Sequence, residues 1–168
     1  MRDGLMRDGR LPFAGTIKTV EDGWIDYNGH LNMAYYGVLF DRTVEEVFDG
    51  LGLGRDYRAR SNCSWFSLAA AFHYLRELKA GDEVGMTFQL LDMDAKRAHF
   101  ILEMYHVREG YRAATMESLA AHVDLGKRKT LPMPPAIHGR LAALWEKHKT
   151  LPPPAEAGQI VGIRRKGA

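Results

Sequence analysis

The sequence has few features that cross-link or anchor a chain. It contains one cysteine, Cys63, among 168 residues. An intrachain disulfide is therefore excluded, and a reducing, cytoplasmic setting is expected. No apolar run approaches the roughly 20 residues that a membrane-spanning helix needs, and residues 1–13 lack the apolar segment of a signal peptide. These absences predict a protein that does not associate with membranes.

The sequence also lacks the usual signs of nucleic-acid binding, metal binding and several enzyme classes. The formal net charge is only +2, and the short basic clusters at 127–129 and 164–166 are too small for a nucleic-acid groove. His99, His106 and His122 lie on predicted strands without close partners, so no metal site is expected. The absence of a Gly-x-Ser-x-Gly motif and of a phosphate-binding glycine loop argues against α/β-hydrolase and nucleotide-binding folds.

What the sequence does contain is the composition of one globular domain. Hydrophobic residues make up 46% and charged residues 26% of the chain, and this length allows a single sizeable core. We expect a flexible N-terminal arm over residues 1–13, one domain over 14–150, and a Pro-rich, basic and loose tail over 151–168.

Residue periodicity predicts an α+β fold. The predicted strands span 14–25, 63–78, 83–93, 97–108 and 111–125, and the predicted helices span 33–50 and 136–148. The first helix is apolar around much of its circumference and should be deeply buried. The four later strands should form an antiparallel meander. Because one helix covers only one face of such a sheet, the sheet should wrap around it and continue into a second copy of the chain.

One polar segment, DYNGHLN at residues 26–32, joins the first strand to the first helix. Taken alone, Asp26 and Gly29 suit a turn, and Asn32 suits the cap of the following helix. The start of a buried helix also offers free backbone N–H groups and the positive end of the helix dipole. Glycine additionally lets a ligand approach the backbone closely. The segment is therefore a candidate active site as well as a turn.

Three motifs resemble the hot-dog fold acyl-CoA thioesterases of the 4-hydroxybenzoyl-CoA thioesterase-like family. The family signature Asp-x-x-Gly-His-x-Asn-Asn-x-x-Tyr is matched at Asp26, Gly29, His30, Asn32 and Tyr36. The chain departs from it at Met33, where the family usually has Asn. The weaker matches are Tyr74-Leu75-Arg76 followed by Gly81-Asp82, with Glu77 in place of a common Pro, and Ala121-His122-Val123-Asp124 followed by a basic stretch. The resemblance covers about residues 16–144.

This resemblance implies a fold, an assembly and a reaction. The fold is a long antiparallel sheet wrapped around one central helix, with a C-terminal helix added. The assembly is at least a homodimer, with a dimer of dimers left open, and the active site lies between subunits. The reaction is hydrolysis of a small acyl-CoA without a cofactor, since CoA is part of the substrate.

The resemblance also assigns roles within the polar segment. Asp26 is implied as the nucleophile or the general base, and these two routes stay open. The backbone N–H of Gly29, together with that of His30, is implied as the oxyanion hole. The His30 side chain and Asn32 are expected to hold the shape of the loop.

The segment HYLRELKAGD, residues 73–82, further resembles thioesterases of carnitine and betaine catabolism, including the domain fused to some L-carnitine dehydrogenases. Those enzymes are thought to act on betainyl-CoA, whose acyl group carries a quaternary ammonium. An aromatic cage would bind that cation, and the candidates are Trp24, Tyr27, Tyr35, Tyr36, Trp65 and Phe66. His73, Ser67 and Glu77 are candidates to complete a partner's site. Lys127, Arg128 and Lys129 are candidates to bind the CoA phosphates.

Two other functions remain open at this point. A hot-dog hydratase or dehydratase would need a His with an acidic partner on the active-site segment. A non-catalytic module that binds acyl-CoA or another small ligand would need no carboxylate beside the oxyanion hole. The Asp that precedes Gly in DYNGHLN favours hydrolysis over both.

Overall fold

The computed structural model describes Leu11 and residues 13–163, and it consists of one antiparallel sheet with helices packed against it. In chain order the elements are strand β1 (Lys18–Thr19), a 3₁₀ turn (Asp22–Trp24), helices α1 (Met33–Gly50) and α2 (Arg55–Ser61), strands β2 (Cys63–Tyr74), β3 (Glu83–Met93), β4 (Arg97–His106), β5 (Arg112–Asp124) and β6 (Lys129–Thr130), and helix α3 (Pro135–His148). The expected α+β fold, with an antiparallel sheet around a central helix and a C-terminal helix, is confirmed.

Helix α1 is the centre of the core, as its apolar pattern predicts. The Asn32 side chain caps its first turn by accepting a hydrogen bond from the Ala34 N–H at 3.0 Å. Leu39 and Phe40 are completely buried, and both belong to one hydrophobic cluster that joins the helix to the sheet. The helix ends at Gly50, and Gly52 then reverses the chain with a φ of +72°.

The order of the strands in the sheet is β1-β3-β4-β5-β2, and every pairing is antiparallel. Strands β3, β4 and β5 form the expected meander. The expectation that β2 also belongs to the meander is wrong, because β2 pairs with β5 instead of β3. Strand β2 therefore lies at one end of the sheet, and its outer edge faces solvent.

Three local predictions differ from the structure. The first strand is only two residues long, because Asp22–Trp24 turns as a 3₁₀ helix where a continuous strand over 14–25 was expected. Strand β2 ends at Tyr74, where the N–H groups of Leu75 and Arg76 both turn to the carbonyl of Ala113. Helix α2 was not predicted, since its sequence RDYRARS contains only one large apolar residue.

Helix α3 closes the end of the sheet opposite to β2. Its Trp145 indole N–H donates to the Leu91 carbonyl at 3.2 Å, and its His148 Nδ1 accepts from the Leu90 N–H at 3.0 Å. Ile137 and Leu141 join the hydrophobic cluster. Strand β1 is too short to cover the whole edge of β3. Side chains of α3 therefore form hydrogen bonds with the backbone of Leu90 and Leu91 on that edge.

Residues 151–159, here called the C-terminal strap, lie across the face of the sheet that points away from α1. Gln89 donates to the Leu151 carbonyl at 3.3 Å, Arg112 pairs with Glu156 at 2.8 Å, and Glu117 accepts from the Gly158 N–H at 2.7 Å. Ile101, in register between Gln89 and Glu117, is 1% exposed. The strap thus covers part of the outer face of the sheet.

The remaining parts of the two predicted termini, residues 1–10, Pro12 and 164–168, lie outside the described residues. Among the described residues, no helix is long and apolar enough to cross a membrane.

Candidate active site

The segment from Asp26 to Asn32 is a closed turn that precedes α1. The Asp26 N–H donates to the His30 carbonyl at 2.9 Å, and an isolated bridge joins Ile25 to Leu31. Gly29 has a φ of +80°, which residues with a Cβ rarely adopt. The glycine of this segment is therefore required by the backbone of the turn, whatever its role in chemistry.

The carboxylate of Asp26 takes part in this turn with one oxygen and leaves the other less engaged. Oδ1 accepts from the Asn28 N–H at 2.8 Å and from the His30 N–H at 3.5 Å. Oδ2 has a single long contact, 3.5 Å, with the side-chain amide of Asn28. The turn therefore holds the carboxylate in a defined direction while one oxygen remains accessible to water or substrate.

The backbone N–H groups near Asp26 differ in availability. The Gly29 N–H, which was expected in the oxyanion hole, donates to the Asp26 carbonyl at 3.0 Å inside the turn. The N–H of Met33, the first residue of α1, has no acceptor within the described part of the chain. A free N–H at the start of a helix is where a developing negative charge is best stabilised.

Asp26 opens onto a cavity of about 320 Å³ beside the start of α1. The residues that line it are Asp26, His30, Leu31, Met33, Tyr36, Tyr74, Leu75, Arg76 and Glu77. They come from two stretches, the DYNGHLN turn with the start of α1 and the end of β2 with the loop after it. Both stretches carry motifs that the sequence had marked.

Backbone and side-chain contacts hold the loop after β2 against the turn. The Leu31 N–H donates to the Leu78 carbonyl at 2.8 Å. His30 Nε2 lies 2.8 Å from Glu77 Oε2, and the two side chains are 37% and 56% exposed. Tyr111 donates to the Glu77 carbonyl at 3.0 Å, and the Arg76 guanidinium lies 3.7 Å from the centre of the Tyr111 ring. The wall of the cavity is therefore preformed.

Tyr36 is the buried hydroxyl of this cavity. It is 4% exposed, its hydroxyl donates to the Arg76 carbonyl at 3.4 Å, and its ring meets Tyr74 edge to face at 5.2 Å. Burial raises the pKa of Tyr36 to about 12, against a partial lowering by a hydrogen bond with the Leu78 backbone. Tyr36 is consequently a neutral hydroxyl, and no base, at neutral pH.

This raised pKa predicts a loss of stability in alkali. The folded state holds the Tyr36 proton up to about pH 12, whereas the unfolded chain releases it near 10.0. The free energy of unfolding should therefore be unaffected below about pH 10 and should fall as the pH rises from 10 towards 12. Tyr36→Phe should show a shallower fall than wild type in urea unfolding measured across that range. Equal slopes in the two proteins would contradict the assignment.

The predicted aromatic cage is divided among separate places in the single chain. Trp24 stacks on Tyr35 at 5.3 Å, Tyr27 is 98% exposed, and Trp65 meets Phe48 at 5.5 Å. Phe66 lies under Arg128 at 5.4 Å. Of the six aromatic candidates, Tyr36 is the one that lines the Asp26 cavity.

The other predicted binding residues are also outside that cavity. His73 sits between Phe72 and Tyr74, whose rings contact Phe40 and Tyr36 of α1. Because side chains alternate along a strand, His73 points to the opposite face. Lys127, Arg128 and Lys129 form the turn into β6, beside the first residues of β2 and far along the strand from Tyr74.

Several cavity residues had not been proposed as binding residues. Tyr74, Leu75 and Arg76 belong to the second matching motif, and the structure brings them beside the turn. The Met33 side chain departs from the family signature, but the group that matters for the site is the unengaged backbone N–H of this residue. Among the described residues, no three His, Cys, Asp or Glu side chains are close enough together to hold a metal ion.

Comparison with known proteins agrees with this fold. The sequence profile described as the thioesterase-like superfamily matches residues 20–141. A betainyl-CoA thioesterase from Pseudomonas aeruginosa is 34% identical over 140 residues, which is 83% of this chain and 88% of that protein. An L-carnitine dehydrogenase/betainyl-CoA thioesterase from Rhizobium meliloti is 32% identical over 92% of this chain, which spans only 32% of that longer protein.

Two solved structures have the same overall architecture. A hypothetical protein from Staphylococcus aureus, solved in complex with CoA, superposes with a TM-score of 0.84 at 25% identity, over 92% of this chain and 97% of that one. A putative thioesterase from Pseudomonas putida superposes with a TM-score of 0.78 at 29% identity, over 92% of this chain and 98% of that one.

Proposed function

The chain belongs to the thioesterase-like superfamily, and from this premise we propose that it hydrolyses a small acyl-CoA to the free acid and CoA at the Asp26 cavity. The observation that carries the proposal is that one cavity is lined both by Asp26, whose Oδ2 is little engaged, and by Met33, whose backbone N–H is unengaged. A carboxylate and an oxyanion donor are the two groups that thioester hydrolysis needs.

In the proposed reaction the thioester carbonyl oxygen faces the start of α1. The Met33 N–H and the positive end of the helix dipole stabilise the oxyanion as the carbonyl carbon becomes tetrahedral. The Gly29 N–H already donates to the Asp26 carbonyl. It can stabilise the oxyanion only through a hydrogen bond shared between the two acceptors. The helix start supplies this stabilisation without any side chain, which accounts for the tolerance of Met at position 33.

Asp26 acts on the other side of the carbonyl. As general base, Oδ2 takes a proton from water while the water oxygen bonds to the carbonyl carbon and the CoA thiolate leaves. As nucleophile, Oδ2 itself bonds to that carbon, the thiolate leaves, and water then hydrolyses the mixed anhydride to regenerate the carboxylate. Both routes use the same residues and need no cofactor beyond the CoA of the substrate.

The assembly we propose is a dimer through the free edge of β2. This strand is 12 residues long with the sequence CSWFSLAAAFHY, and it contains no Lys, Glu or Pro of the kind that protects an exposed edge. Leu68 is 53% exposed. Antiparallel pairing with the same strand of a second copy satisfies these backbone groups by two-fold symmetry.

The same pairing places the basic turn where the predicted CoA role requires it. Tyr74, at the end of β2, lines the Asp26 cavity, whereas the turn at 127–129 lies beside the start of β2. In an antiparallel pair the start of one β2 adjoins the end of the other. We therefore propose that Lys127, Arg128 and Lys129 contact the CoA phosphates bound at the partner's cavity. A reducing compartment such as the cytoplasm suits the single cysteine.

A panel of thioesters tests the reaction. Thiol release should be measured with betainyl-CoA, acetyl-CoA, butyryl-CoA and 4-hydroxybenzoyl-CoA, with crotonyl-CoA added to detect hydration. Release of CoA from at least one of them is the expected result. The 2.8 Å contact between His30 and Glu77 is the observation that favours the hydratase alternative. Loss of the crotonyl double bond without thiol release would establish that alternative, and binding without turnover would indicate a binding module.

A further inference from the structure

A second cavity lies farther along α1 and is not used by the chemistry above. It has a volume of about 250 Å³ and lies between the second half of α1, helix α2 and the start of β2. Its apolar walls include the rings of Phe48, Trp65 and Phe100. Phe48 packs edge to face against both of the other rings, at 5.5 and 5.9 Å. The cavity is therefore a rigid aromatic pocket.

Carboxylates from α1 stand at the rim of this pocket. Asp41 and Glu45 are one helical turn apart and both line it. Asp41 has no hydrogen-bonding or ion-pairing partner among the described residues, and Glu45 has one weak contact, 3.5 Å to the exposed Arg55. Like charges at this spacing destabilise a helix. Burial and the charge of Glu45 both raise the pKa of Asp41.

Together these walls suit a positively charged group that is weakly hydrated. The faces of aromatic rings carry negative potential and attract ammonium groups, and the attraction is strongest where water is excluded. Asp49, Arg55 and Arg58 also line the pocket, so its three carboxylates exceed its two guanidinium groups by one negative charge, and Asp41 is the carboxylate without a partner among the described residues. A quaternary ammonium matches both features, because its methyl groups pack on rings and its charge meets the carboxylates.

In one chain this pocket is too far from Asp26 to share a substrate with it. Between Met33 and Glu45 the helix rises about 18 Å at 1.5 Å per residue. The proposed dimer removes that separation. Ser64 and Trp65, at the start of β2, line the aromatic pocket, and Tyr74, at the end of β2, lines the Asp26 cavity. Antiparallel pairing of two β2 strands brings these two ends together.

We propose that the aromatic pocket of one protomer receives the cationic end of the acyl group whose thioester is held at the partner's Asp26. Asp41 and Glu45 are then the residues that select a cationic acyl-CoA over a neutral one of the same shape. This inference rests on the proposed thioesterase function and adds to it the location of the acyl-group specificity. It also makes each active site depend on both chains.

The test compares two substrates of equal shape and different charge. Betainyl-CoA carries a trimethylammonium group, and 3,3-dimethylbutyryl-CoA carries an uncharged tert-butyl group in its place. Asp41→Asn and Glu45→Gln should each lower kcat/KM for betainyl-CoA by about tenfold or more and change kcat/KM for the neutral thioester by less than about twofold. Asp56→Asn, on α2 outside the pocket, removes the same charge and should change neither value.

A mixed-chain experiment tests the placement across the dimer. Asp26→Asn and Asp41→Asn chains are mixed, dissociated and reassociated. If the pocket serves the partner's Asp26, one of the two sites in each mixed dimer is wild type, so hydrolysis of betainyl-CoA should rise well above that of either variant alone. No rise would place Asp26 and Asp41 in the same chain's site and overturn the proposed arrangement.

Each outcome separates this inference from the function on which it rests. If wild type hydrolyses neither thioester of this pair nor any other of the panel, the proposed function fails and the inference fails with it. If it hydrolyses other thioesters of the panel but not betainyl-CoA, the function stands and the cation site is overturned. If wild type hydrolyses thioesters but the charge preference is unaltered in Asp41→Asn and Glu45→Gln, the function stands and the cation site is overturned. Hydrolysis of the neutral thioester at close to the wild-type rate shows that a variant is folded.

Discussion

Asp26→Asn is expected to lower kcat for thioester hydrolysis by about 100-fold or more, a scale typical of a positioned acid–base group. The amide oxygen of Asn retains an acceptor for the Asn28 N–H, which Asp26 Oδ1 accepts at 2.8 Å. The turn should therefore keep its shape while Oδ2 loses its charge and its ability to accept a proton. Thiol release at saturating acyl-CoA, measured beside urea unfolding, separates lost chemistry from lost structure.

The matched control is Asp22→Asn, four residues upstream in the 3₁₀ turn and exposed to solvent. It removes the same charge close to the site and should leave kcat within about twofold of wild type. Equal rates in wild type and Asp26→Asn would remove Asp26 from the chemistry and leave its role as a turn residue. A single turnover in H₂¹⁸O then tests the nucleophilic route, since ¹⁸O enters the Asp26 carboxylate only when water opens a mixed anhydride at the Asp26 carbonyl carbon.

Leu68→Glu is expected to convert the proposed dimer to monomers and to abolish most of the activity. Leu68 lies near the middle of β2 and is 53% exposed in the single chain, so the fold tolerates a polar side chain there. In the proposed dimer the two copies of this residue meet near the two-fold axis, and carboxylates facing each other across a strand pair repel. We expect at least a 100-fold weaker dimer by sedimentation, and activity that returns only at high protein concentration.

Ile17→Glu supplies the comparison, because Ile17 is 43% exposed and lies outside β2. That variant should remain dimeric and active. A Leu68→Glu protein that sediments as a monomer and hydrolyses thioesters at the wild-type rate would show that one chain holds a complete site. It would contradict the proposed dimer site as well as the sharing of the aromatic pocket.

The long elements of the fold were predictable because their residue patterns agree with their final environment. Helix α1 places apolar residues around much of its circumference, and it is the central element of the core. Strands β3 and β4 alternate or run apolar between clear breaks at residues 79–82 and 94–96. Helix α2 could not be predicted, because Tyr57 is the one residue of that helix that is buried and a single apolar residue sets no periodicity.

The position of β2 could not be predicted because strand order depends on contacts between distant residues. The loop after β2 returns towards the Asp26 turn, so β3 starts at the far end of the sheet and β2 pairs with β5. The strap on the outer face was equally hidden. Its sequence around three prolines is typical of a loose tail, and its attachment depends on Arg112 and Glu117, more than 30 residues away.

The candidate site was predictable to the extent that it lies in one short segment. Asp26, Gly29 and Asn32 fall at fixed offsets within DYNGHLN, and their backbone roles follow from the turn and the helix start. The aromatic pocket has no such local signature. Asp41 and Glu45 belong to a pattern that any solvated helix face shows, and Trp65 reaches them only after β2 folds onto the helix.

The closure of one edge of the sheet by α3 decides how far the molecule can grow. A sheet with two open edges adds further copies at either end and becomes a fibre. Here Trp145 and His148 occupy the backbone groups of Leu90 and Leu91, and β1 is two residues long, so β2 is the one long open edge in the described part of the sheet. In the proposed dimer, growth along the hydrogen-bonding direction would therefore end at two chains. A β2 edge without charged side chains then leads to a closed pair and not to an open-ended polymer.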